Sequence, residues 1–181
     1  MRNRREQLRC MVISAVMAAL ALTLPMAFHA AGLGSKFLPM LLPLLLNGFL
    51  VPVPWAAVTG AVVPPLSSLA TGMPPMFPPV AMGMSIEGAI LGGAAAAIYG
   101  GQRSRLWWAL LIAVFLGRAA AFASTWLLAR LFQLPPTMTS AAVLIQGIPG
   151  VVLQLAVVPV VVGRIARRGG ILFAHDSQSQ A

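Results

Sequence analysis

Glu87 is the one acidic side chain in the middle of this chain; the other two, Glu6 and Asp176, lie near its ends. It follows a stretch rich in proline and methionine, "TGMPPMFPPVAMGMSI", residues 71–86. Arg118, in "FLGRAAAFAS", is an equally isolated cation. Two lone charges of opposite sign in apolar surroundings can neutralise each other, move a proton, or hold a polar ligand between them. Proton carriers generally use a relay of several such groups, and none accompanies this pair. There is no GxxxxGK[ST] phosphate loop, no HExxH and no GxSxG, so nucleotide hydrolysis by this chain and the commoner hydrolase chemistries have no motif behind them. Cys10 is the single cysteine and His29 and His175 are far apart. That leaves no internal disulfide and no set of metal ligands, and no cofactor is expected.

Charges placed this way need elements that can carry them through lipid. Hydrophobic residues make up 59% of the 181, charged residues only 8%, and mean hydropathy is +0.90. A soluble domain is about 45–50% apolar and about 25% charged. The chain is therefore expected to be an all-α polytopic membrane protein, because a backbone in hydrocarbon must satisfy its own hydrogen bonds. Six transmembrane helices are expected: about 10–28, 37–50, 55–71, 80–99, 106–132 and 140–162. The second should be kinked by Pro39 and Pro43, the third broken by Pro64–Pro65, and the sixth interrupted by "GIPG" and Pro159. Residues 1–9 form a basic arm, 10–163 the six-helix domain, and 164–181 a basic and then disordered tail. Read alone, the arm and first apolar run also have the form of a signal peptide, although the run is long for one.

With six spans, nine arginines (2, 4, 5, 9, 103, 105, 164, 167 and 168) fall on one face, and only Lys36 and Arg130 lie near the other. That is a positive-inside pattern with both termini cytoplasmic. The net charge of +9 then orients helices; it does not mark a nucleic-acid surface.

Helical rise places Glu87 about 10 Å below the outer boundary and Arg118 about 12 Å below it. Each charge alone would cost about 2.5–3.5 kcal/mol or more, so the two are expected within reach of one another. Two readings stay open: a buried salt bridge, or a solute cavity lined by one or both groups. Asn47, Ser67, Ser68, Ser124, Thr125 and Gln146 are read as polar neighbours in the outer half, with Met73 among methionines at the mouth. Ala15 and Ala19 form a small-xxx-small face on the first helix, where another helix can approach closely.

Several segments carry a resemblance: "GLGSKFLPMLLPLLLNGFL", "GAVVPPLSSLATGMPP", "MSIEGAILGG", "LGRAAAF" and "GIPGVVLQLAVVPVVV". With six spans, a basic arm and an alanine-spaced first helix, the chain resembles the S components of energy-coupling factor (ECF) transporters, the membrane-embedded substrate-binding subunits of bacterial vitamin importers. The likeness covers most of residues 32–162. It implies a vitamin-like solute bound near the outer face; together with the residue reading above, Glu87, Arg118, Asn47, Ser67, Ser68, Gln146 and Met73 are the candidate contacts. It also implies docking of Ala15 and Ala19 on a T subunit attached to two ATPases, toppling in the bilayer to release solute, and residence in the bacterial cytoplasmic membrane. Relatives often carry histidine where this chain has Leu41, which would suit a different or less polar ligand. The competing classes are a small membrane enzyme using Glu87 or His29, and a structural membrane protein without a small ligand.

Overall fold

The computed structural model describes residues 4–30, 32, 37–72, 74–75, 80–133 and 147–167. They form six α-helices and one 3-10 turn: α1 Arg4–Ala30, α2 Leu41–Leu50, α3 Val53–Thr71, α4 Val80–Tyr99, the turn Arg103–Arg105, α5 Leu106–Leu131 and α6 Ile148–Arg167. Among the described residues there is no strand. Five of the helices are long and apolar enough to cross a membrane; α2 is the shorter sixth.

α4 is the central helix, packed on α2, α3 and α5, while α1 packs on α2 and α3, and α6 on α2 and α5. Small residues make the central contacts possible. An ideal Cβ on Gly60 would lie 2.2 Å from the Gly88 carbonyl oxygen, and one on Gly48 would lie 2.4 Å from that of Gly92. The backbones of α2, α3 and α4 thus touch along a seam, a close packing that replaces the hydrophobic effect as the cohesive force in lipid. At the arginine-rich end Phe49 meets Tyr99 edge to face, with ring centroids 5.1 Å apart.

α4 and α5 occupy the ranges expected of them. α1 is longer than expected, because Arg4–Arg9 of the basic arm continue the helix. Its buried stripe runs through Cys10, Ser14, Ala21 and Pro25. α2 starts four residues later than expected: Pro39 disfavours the helical region for Leu38 before it, and Leu38 leaves the helical path with φ +45°. Pro43 then sits in the first turn, where its missing N–H leaves no intrahelical bond unmade.

The expected break at Pro64–Pro65 is absent, and α3 runs straight through both prolines. The missing N–H groups release the carbonyls of Gly60 and Ala61. An ideal Cβ on Gly88 would stand 2.6 Å from the Gly60 oxygen, so that freed oxygen lies against the Cα of Gly88, where a weak Cα–H···O contact can form. α3 ends at Thr71 as expected, and Gly72 follows in the left-handed region (φ +73°) with its N–H bonded to Ser68 O at 2.9 Å. α6 is not interrupted by "GIPG" but begins there, with Pro149 in the first turn, and Gly150 packs on the Phe37 backbone. The stretch 140–146 assigned to the sixth span lies outside the described residues.

On α5, Trp107 and Trp126 stand nineteen residues apart, about 28 Å along the helix. Trp107 is exposed near one end, and Trp126 near the other lies under the Arg130 guanidinium at 4.6 Å. Such pairs of aromatic positions mark the two bilayer interfaces, and their spacing matches a hydrocarbon core of about 30 Å.

Candidate functional site

Between those two levels lie Glu87 on α4 and Arg118 on α5. Arg118 is eight residues from Trp126 and eleven from Trp107, so it belongs to the half of the bundle away from the arginine-rich end. Three contacts register α4 against α5: Leu91 lies on Gly117, Gly83 faces Ser124 and Thr125, and Glu87 meets Arg118 between them. Arg118 Nη2 forms an ion pair with Glu87 Oε1. Glu87 is buried at 4% exposure, whereas the Arg118 side chain keeps 21%. Apart from that pair, Oε1 has no hydrogen-bond partner among the described residues. A buried carboxylate held by one guanidinium is a stranded charge as soon as that guanidinium moves.

The short α2 helps to set this place apart. Gly48 meets Gly92 and Leu44 meets Gly88, so the first turn of α2 is about level with Glu87. Beyond it, toward the far end of the bundle, the column occupied by α2 holds no further α2 helix. Leu41, at the histidine position of the resemblance, is fully buried in the apolar core.

The other site residues inferred from sequence divide into groups. Ser67 and Ser68 are buried on α3, about two turns beyond the Gly60–Gly88 contact. They lie nearer the outer end of the bundle than Glu87, and Ser68 Oγ lies within hydrogen-bonding distance of two acceptors, Pro64 O and Pro74 O. Asn47 does not join them and its expected place in the outer half is corrected. It sits three residues from the inner end of α2, where its side chain and that of Ser14 on α1 are 3.4 Å apart. The direction in which α2 runs carries Asn47 downward, away from Glu87. Met73 and Gln146 lie outside the described residues.

Gln154 was missed by the sequence reading. It is 2% exposed, on the α6 stripe Gly150, Gln154, Val158 and Val162 that faces the bundle. It lies six residues into its helix. A single amide in the run "VVLQLAVV" was the available signal.

Ala15 and Ala19 are exposed on the side of α1 opposite its buried stripe. A cavity of about 370 Å³ lies elsewhere, at the arginine-rich end between α5 and α6, and not beside Glu87. The loops beyond the outer ends of α3 and α5 include residues outside the described set.

Comparison with curated proteins gives no match, and neither does comparison with solved structures. The family model described as "ECF transporter, substrate-specific component" matches residues 9–162. Substrate-specific components of this family work with T and ATPase modules. With most of its length matched, this multi-pass helical chain belongs to the family of ECF transporter substrate-specific components, and its intramembrane charge pair lies within a substrate-binding subunit.

Proposed function

We propose that the chain binds a vitamin or related micronutrient from the outer face of a bacterial cytoplasmic membrane, and delivers it inward together with a T subunit and two ATPase subunits. The observation that carries this reading is the buried Glu87–Arg118 pair in the outer half of the bundle. Ionisable groups inside a membrane domain are expensive to keep and generally mark a solute path. A zwitterionic or hydrogen-bonding headgroup could enter between the two, accepting from Arg118 and donating to Glu87. Ser67, Ser68 and Gln154 supply neutral polar contacts from α3 and α6, and Met73 and Gln146 stand as further candidate contacts. Asn47, bonded to Ser14 near the other end, is assigned a structural role. The exposed Ala15 and Ala19 form the face for the T subunit, and the nine arginines support a cytoplasmic position for both termini.

Native mass spectrometry of the protein purified from its own membrane tests the reading. A stoichiometric small molecule bound to wild type and lost from Glu87→Gln is expected. Retention of that molecule by both Glu87→Gln and Arg118→Met would remove the pair from the site.

A further inference from the structure

The cavity of about 370 Å³ between α5 and α6 is lined by Arg103, Leu106, Trp107, Pro159, Val160, Gly163, Arg164 and Arg167. It has two chemistries. Three guanidiniums stand at the end of the bundle, from the turn before α5 and from the last turn of α6. Below them the wall is apolar, and Trp107 and Val160 are more than half exposed, continuing onto the outer surface of the helices. Its floor is open: a Cβ placed on Gly163 would meet nothing within 4 Å.

Among the described residues no carboxylate lines this space: the only acids are Glu6 and Glu87; Glu87 is held by Arg118 and Glu6 is not part of the lining. Three guanidiniums around one cavity repel each other, at a cost that an anion would relieve. Guanidinium groups suit phosphate oxygens because they present paired N–H donors in a plane. The level of Trp107 is that of the bilayer interface, where phospholipid phosphates lie.

We propose that this cavity is a binding site for one anionic phospholipid, its phosphodiester held by Arg103, Arg164 and Arg167 and its acyl chains laid along Trp107 and Val160. A free phosphate would use the arginines alone and leave the apolar wall to lipid tails of any kind. The joined polar and apolar halves favour the intact lipid. Basic pockets between helices at a membrane surface are suited to such headgroups. The site is separate from the Glu87–Arg118 pair and does not depend on which solute is carried.

Lipid retention in native mass spectrometry and thermal stability in neutral detergent test this, with short-chain phosphatidylglycerol, short-chain phosphatidylcholine, glycerol phosphate and inorganic phosphate as probes. Wild type is expected to retain one phosphatidylglycerol and to be stabilised by it, with little response to the other three. Arg164→Gln/Arg167→Gln should bind phosphatidylglycerol roughly 25-fold more weakly, from the contribution of each basic side chain near an anionic surface. Gly163→Leu keeps all three arginines but fills the floor, and should weaken binding as well while leaving the lipid-free protein at least as stable. Equal phosphatidylglycerol binding by wild type and both variants would overturn the site. Equal stabilisation by phosphatidylcholine would overturn its charge selection. An equal response to glycerol phosphate or inorganic phosphate would make it a small-anion site and overturn the lipid assignment.

Discussion

Glu87 and Arg118 neutralise each other inside the bundle, and this allows stability and ligand affinity to be separated by substitution. Glu87→Gln or Arg118→Met alone should each lower stability by about 3–5 kcal/mol, because the remaining charge is left without its partner in a low dielectric. The double replacement should recover most of that loss. Ligand affinity should not return with it, if the pair touches the solute. Thermal unfolding measured beside affinity for the four proteins checks this, and full affinity in the double variant would make the pair structural. The meeting of these two residues was legible in the sequence, since helical rise alone puts them at similar depth. The place of Asn47 was not. Its depth depended on where α2 begins, and that was decided by Leu38 and Pro39, which delay the helix by a turn. Gln154 was not legible either, because a single amide in an apolar run does not show which face of its helix it occupies.

At the level of helices, the proline pairs were the poorest guide. Pro64–Pro65 would break an isolated helix, but here α3 is held against α4 by contacts between glycines, and the released Gly60 carbonyl finds Gly88. Tertiary packing outweighed a local signal that was correctly read. On the first helix, Ala15 and Ala19 with their small-xxx-small spacing are on the uncovered face of α1. Ala15→Trp and Ala19→Trp should prevent co-purification with a T subunit while leaving solute affinity within about twofold of wild type, since a bulky side chain holds helices apart only where it stands. Normal assembly combined with loss of solute binding would reverse the assignment of that face.

For the molecule as a whole, among the described residues six helices bring the arginines at 4–9, 103–105 and 164–167 to one end, and this arrangement makes topology testable. In a Cys10→Ala background, cysteine at Thr71 or Thr137 should react with an impermeant reagent on intact cells. Cysteine at Ser104 should react only after permeabilisation. Labelling of Ser104→Cys from outside would invert the orientation derived from the arginines. The all-α architecture was legible from composition and charge alone, because so few arrangements satisfy a backbone in lipid. The glycine seam was not, as small residues at that spacing occur in membrane helices whether or not they touch.

That seam also determines which spellings of the gene can be tolerated. Every nonsynonymous change of a glycine codon adds at least one carbon atom. At Gly48, Gly60 and Gly88 this carbon would fall less than 3 Å from a neighbouring backbone, and at Gly150 it would meet that of Phe37. Forced separation of this kind costs about 1–3 kcal/mol or more. At Gly92 the nearest atom is 3.2 Å away, so alanine alone should pass with a small shift. A library of all single codon changes, sorted for protein that reaches the membrane intact, should therefore show four positions silent to everything but synonymous codons. Gly163, facing open space, should accept nearly any residue in the same library.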